Sequence, residues 1–213
     1  MGARGLGVVL LLALLGVGGG YAWAQHREPT AVTFRDAGPV PASSPSLPVD
    51  PVRPYAADIP YPPLLPSLTY KRHVIGSPGF QWTYRAPRGW VRTEEYDNEY
   101  RWRPRGEPEI GGYSLRVKIA SEHKTREQMV AQKLAAMQAG YQDVEIIGQT
   151  TDLLSFSYRD AVRNTQRFNT FMWFSIPGET EAKFEMSVVG RSVDRAGLDD
   201  LLATVSRSIS PVQ

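Results

Sequence analysis

Residues 125–140 read TREQMVAQKLAAMQAG, and their spacing decides how the rest of the chain must be arranged. Thr125 and Gln128 stand three apart, as the partners of a capping box do. The helix they open carries Met129, Val130, Leu134 and Met137 on one stripe and stops at Gly140. Such a stripe has to be covered, and the flanking sequence supplies the strands. Upstream, GGYSLRVKIA alternates Tyr113, Leu115, Val117 and Ile119 with Ser114, Arg116 and Lys118, the two-residue period of a strand with one buried face. Downstream come DVEIIGQ, DLLSFSYR, RFNTFMWFSI and EAKFEMSVVGR. Turn chemistry fills each gap, at Gly148 to Asp152, at Asp160 to Thr165 and at PGET from Pro177 to Thr180. Connections that short join antiparallel neighbours.

At the C-terminal end, SVDRAGLDDLLATVSRSI reads as a second amphipathic helix. Ser192 is expected as its cap, Asp194 suits the first turn, and Leu198, Leu201, Leu202, Val205 and Ile209 make the stripe. Asp199 and Asp200 are neighbours that point apart, on the wet face. Toward the N-terminus, FQWTYRA alternates Phe80, Trp82 and Tyr84 before the turn APRGW. There Pro87 fixes one dihedral, Gly89 permits an unusual one, Arg85 and Arg88 are expected in solvent, and Trp90 is expected as a core anchor. The economical architecture is α+β, one antiparallel β-sheet with two main helices packed on it, spanning residues 69–213.

Residues 25–68 carry prolines too densely for a helix or a central strand, as in PVPASSPSLPVDPVRPYAADIPYPPLLP, and read as a semi-rigid linker. Its end holds Tyr61, Leu64 and Leu65, which are costly to leave wet and can fold back onto the domain. Residues 1–24, MGARGLGVVLLLALLGVGGGYAWA, form an N-terminal apolar helix in pattern, with Arg4 ahead of it and Ala22-Trp23-Ala24 behind. As a signal peptide the segment is cleaved after Ala24, leaving Gln25 first. As an uncleaved membrane anchor it is about 20 residues, enough to span a bilayer. Both readings put the domain outside the cytoplasm, either secreted or held at the extracytoplasmic face of the cell membrane.

The chain has 24 Lys+Arg against 22 Asp+Glu, a balance that argues against a nucleic-acid partner. It has no cysteine, which rules out disulfides, thiolate metal sites and lipid attachment through an N-terminal cysteine. The three histidines, His26, His73 and His123, have no metal-site spacing. No G-x-S-x-G elbow and no phosphate-cradling glycine loop occurs, so no catalytic residue, cofactor or metal is assigned.

The densest aromatic and charged stretch is EYDNEYRWRPRG at 95–106. Tyr100, Arg101, Trp102, Arg103 and Arg105 are the candidate binding residues, because rings and guanidinium planes stack on sugars and on partner side chains. The competing reading is a surface hairpin whose arginines are neutralised by Glu94, Glu95, Asp97 and Glu99. Strand alternation sends Tyr100, Trp102 and Pro104 one way and the three arginines the other, a cationic strip that on an edge strand also guards against sheet-to-sheet pairing.

These residues and their order resemble the PsbP-like domains, shared by photosystem extrinsic subunits, a Ran-binding nuclear transport factor and many exported actinobacterial proteins. The likeness rests on FQWTYRAPRGW, with Pro87, Gly89 and Trp90 at the family's Pro-x-Gly-Trp, then YSLRVKIA, TREQMVAQKLAAMQ, four strands and a closing helix, covering Phe80 to Val212. It implies an antiparallel sheet flanked by helices that serves as a non-catalytic binding or assembly module. The chain departs from the exported relatives in lacking a lipid-attachment cysteine and a kinase domain. The expected function is therefore an extracytoplasmic binding or accessory module of the cell envelope whose partner is a protein or an envelope polymer. The alternative is an exported hydrolase built on His123 or His73 with a nearby acid.

Overall fold

The structure is a computed structural model that describes residues 53–108 and 111–212. The N-terminal apolar segment and the first part of the Pro-rich linker lie outside the described residues. Among the described residues, ten strands and two α-helices follow one another: β1 (Tyr70–Ser77), β2 (Phe80–Pro87), β3 (Trp90–Tyr96), β4 (Glu99–Pro104), β5 (Ser114–Ile119), α1 (Arg126–Gly140), β6 (Gln142–Gln149), β7 (Leu153–Asp160), β8 (Thr165–Phe174), β9 (Phe184–Gly190), α2 (Arg195–Ser206) and β10 (Ser210–Pro211). The class is α+β and every strand pair is antiparallel.

The single expected sheet is in fact two. β1-β2-β10 form a small sheet, and β3-β4-β5-β9-β8-β7-β6 form a large one. The APRGW turn makes the division. Gly89 sits at φ 80, a left-handed conformation natural only to glycine, and there the chain leaves the small sheet at Pro87 and enters the large one at Trp90. β2 therefore packs its rings on the large sheet instead of pairing with it, and the Trp82 and Phe184 rings lie 5.5 Å apart.

Two cores result. The small sheet and α2 enclose the first against one face of the large sheet, with Trp82, Tyr84, Leu115, Val117, Phe184, Met186 and Leu201 buried. The second lies on the opposite face under α1, with Met129, Val130, Leu154, Phe156, Phe171 and Trp173 buried. The capping box forms as expected: Thr125 Oγ1 accepts from Gln128 N at 3.2 Å and Gln128 Oε1 from Thr125 N at 3.0 Å. Trp90 is only half-buried, packed on Tyr113 with 5.9 Å between ring centroids. It lies on the edge strand β3, where no further strand covers it, so the anchoring rings are Trp82 and Trp173 instead.

The domain begins earlier than residue 69. Arg191 donates to the backbone oxygens of Ile59, Tyr61 and Pro62 at 3.1, 2.8 and 3.0 Å, and Asp194 Oδ1 accepts from Leu64 N at 2.9 Å. Leu64 is buried against α2 at Gly197, where even a Cβ would meet Leu64 O at 2.3 Å. Residues 53–68 are thus a strap fastened across the domain. The same contacts explain why Ser192 is not a cap. Residues Ser192–Asp194 form a 3₁₀ turn, and Asp194, expected to face the helix start, folds back onto Arg191 and the strap.

Candidate functional site

The hairpin carrying the candidate residues turns at Asp97-Asn98, with Asn98 at φ 58, and pairs Arg92 with Trp102 and Thr93 with Arg101. β4 lies between β3 and β5, so it is an interior strand and its arginines do not guard an edge. Alternation then sorts the residues as expected. Trp102 turns into the first core at 5% exposure, where its Nε1 donates to the Tyr84 hydroxyl at 3.2 Å. Its ring also takes His73, 4.4 Å between centroids. Trp102 is therefore not presented to a ligand, and His73 is half-buried against it. Burial, then Lys71 and Arg92, lower the His73 pKa and keep the imidazole neutral. Tyr100 is half-buried beneath the Arg92 guanidinium, 4.4 Å from its ring centre.

Arg101 and Arg103 project from the other face, the one that α1 covers farther along. Arg101 pairs with Glu95 at 2.9 Å. Arg105, exposed beyond the strand end, stands apart from them. Arg101 and Arg103 join Glu107, Tyr158, Asp160 and Arg167 around a recess of about 220 Å³. Tyr158 and Arg167 are opposite each other in the β7–β8 register. Arg167, 5% exposed, donates to Gly111 O at 2.6 Å and to Gly112 O, holding the turn that closes the recess.

Glu107 is the unusual group. Its Oε1 accepts from Tyr113 N, while its Oε2 is buried without a partner. Burial pushes the carboxyl pKa up to about 7, against the opposing pull of the Tyr113 hydrogen bond, Arg103 and Arg167. Burial likewise pushes the Tyr158 hydroxyl up to about 12, so it remains a donor. The recess therefore offers guanidinium and hydroxyl donors and, near neutrality, a carboxyl that can donate or accept. That chemistry suits a polar, hydroxyl-bearing group.

His123 is elsewhere and is not brought near His73. It stands at φ 52 with its side chain 83% exposed, its Nδ1 3.0 Å from Glu181, which also holds Lys183 at 2.8 Å. Among the described residues no cluster of His, Asp and Glu is placed to hold a metal ion. Glu107, Tyr158, Asp160 and Arg167 were not singled out by sequence reasoning. The signal for Arg167 was a guanidinium at the buried parity of an apolar strand, in line with Phe171 and Trp173. Comparison with protein-family models and with curated protein sequences finds no match to this chain.

Proposed function

We propose that the chain is an exported, non-catalytic binding module of the PsbP-like kind, secreted or anchored at the extracytoplasmic face of the membrane. Its recess beside Arg101 and Arg103 takes a hydroxyl-rich unit of a cell-envelope polymer. The observation that carries this reading is the recess itself. Arg101, Arg103, Glu107, Tyr158 and Arg167 line a volume suited to about one sugar residue. The apolar residues 1–24 and the Pro-rich stretch after them support the location.

The test is retention of the chain by isolated envelope polymer, compared with the Arg101→Ala/Arg103→Ala and Tyr158→Phe variants. Retention should fall about tenfold in the double variant. Undiminished retention overturns the site, and crosslinking to a protein instead of a polymer overturns the ligand class. The hydrolase reading rests on the His123–Glu181 contact. It would replace this one if turnover of an ester, glycoside or phosphate substrate disappeared in His123→Ala.

A further inference from the structure

On the outward face of the small sheet, Arg72 of β1 and Arg85 of β2 are direct cross-strand partners. Like charges so placed, with Cβ atoms about 5 Å apart, repel one another and weaken the sheet. Arg207, immediately after α2, reaches the same cleft, and the remaining lining is hydroxyls, from Thr83, Thr204, Ser208 and Ser210. The cleft measures about 430 Å³ and no carboxylate lines it.

Other charged groups do not relieve the repulsion. Among the described residues, Arg72, Arg85 and Arg207 take part in no ion pair, although the chain holds nearly as many acids as bases. Arg72 makes only a long contact to Thr83 Oγ1, at 3.4 Å. The acid one turn before Thr204, Asp200, accepts from Ser67 N at 2.9 Å. The last carbonyls of α2 are also occupied, since Val205 O accepts from Ser208 N at 2.9 Å and Ser208 Oγ at 2.6 Å, and Ser206 O from Ile209 N at 3.3 Å. The three guanidiniums, all exposed, are thus left without a protein counter-charge.

We propose that this cleft binds a phosphate group, as a monoester or diester. A carboxylate is satisfied by one guanidinium fork, whereas three guanidiniums match the greater charge and the tetrahedral oxygens of phosphate. The Thr204 and Ser210 hydroxyls can donate to oxygens the forks leave open, whereas the Ser208 hydroxyl is committed to Val205 O, and the volume admits the phosphate with a small attached alcohol. The cleft shares no lining residue with the recess of Arg101 and Arg103, so the two sites fail or stand separately.

The experiment uses the purified full chain with inorganic phosphate, glycerol 3-phosphate, and vesicles of phosphatidylglycerol or phosphatidylcholine, at matched ionic strength. Expected is a saturable rise in melting temperature with glycerol 3-phosphate, lost in Arg85→Gln and in Arg207→Gln with affinity at least ~10-fold weaker. Without ligand, Arg85→Gln should melt no lower than the parent, because it removes the like-charge pair; a merely structural arginine would show the opposite. If phosphatidylglycerol vesicles bind, and free phosphate competes, the phosphate belongs to a lipid headgroup. The proposal is overturned by the lack of any saturable response to phosphate or its esters. It is equally overturned by binding that survives both substitutions, or by a preference for phosphatidylglycerol over phosphatidylcholine vesicles that free phosphate does not abolish.

Discussion

Arg191→Met removes the group that fastens the strap, and the structure sets the size of the effect. Arg191 is 1% exposed and Asp194 is fully buried. The guanidinium donates to both Asp194 carboxylate oxygens at 2.8 Å and to three strap carbonyls, so methionine fills much of the volume but leaves a buried carboxylate without its charge partner. Breaking one side of such a pair costs about 3–5 kcal/mol, out of a total stability on the order of 5–15 kcal/mol. For a domain of this length that lowers the melting temperature by on the order of 10 °C. The pH dependence should also change sign. Burial acts to raise the Asp194 pKa, but hydrogen bonds from Arg191 and Leu64 outweigh it and hold the pKa below 3.8, so the contribution is present above the unfolded value and lost on strong acidification. In the variant burial remains, the largest single cause, opposed only by the backbone N–H groups of residue 191 and Leu64. With burial dominant the pKa rises, and stability is lost as pH increases above the unfolded value. Urea titrations followed by tryptophan fluorescence should therefore show a larger deficit near pH 7 than near pH 4, and Asp194→Asn in the same background should recover part of it. A deficit under about 1 kcal/mol, or one equal at both pH values, would refute the reasoning.

Gly197→Ala should destabilise although alanine is the better helix former by about 1 kcal/mol, because its Cβ would lie 2.3 Å from Leu64 O; the overpacking costs about 1–3 kcal/mol, and limited proteolysis should open a new cut within residues 53–68. Trp102→Ala should cost about 3–5 kcal/mol in urea, and the half-buried Trp90→Ala roughly half as much; equal losses would contradict their different packing. Glu107, with its pKa raised from 4.5 to about 7, stabilises fully below the unfolded pKa and loses that contribution as pH rises through the window up to 7. The full shift is worth about 3 kcal/mol, reduced to about 1–2 kcal/mol by water at the open recess. Glu107→Gln should flatten the stability profile across that window, as measured by melting temperature.

Local chemistry carried the fold a long way. The capping box at Thr125 and the alternation of β5, β7, β8 and β9 depend on neighbours within a few residues, and all of them form. What escaped was decided by partners far along the chain. RFNTFMWF has apolar residues at both parities, with Phe171 and Trp173 in one core and Met172 and Phe174 packed on the other. A sheet buried on both faces needs a cover on each, and one of those covers is the small sheet. β1 escaped for the opposite reason: its YKRHVIGS buries only Ile75, and its place is set by pairing with β2. The strap is held by Arg191 across more than a hundred residues of sequence, and proline density alone describes a linker whether or not something grips it.

The sites divide in the same way. Which arginines face outward was readable from alternation, and Arg101, Arg103 and Arg85 all lie opposite the aromatic core parity. What each arginine meets was not readable, because it depends on strand register. Register gives Arg116 to Glu185 and Glu99, and the hairpin gives Arg101 to Glu95. It also sets Arg85 against Arg72. An uncompensated cross-strand pair costs stability in the free protein, whereas a bound anion turns the same pair into a source of affinity. A rise in unliganded stability together with a loss of phosphate response, in one substitution at Arg85, would therefore separate a site kept for binding from a sheet that merely tolerates its charges.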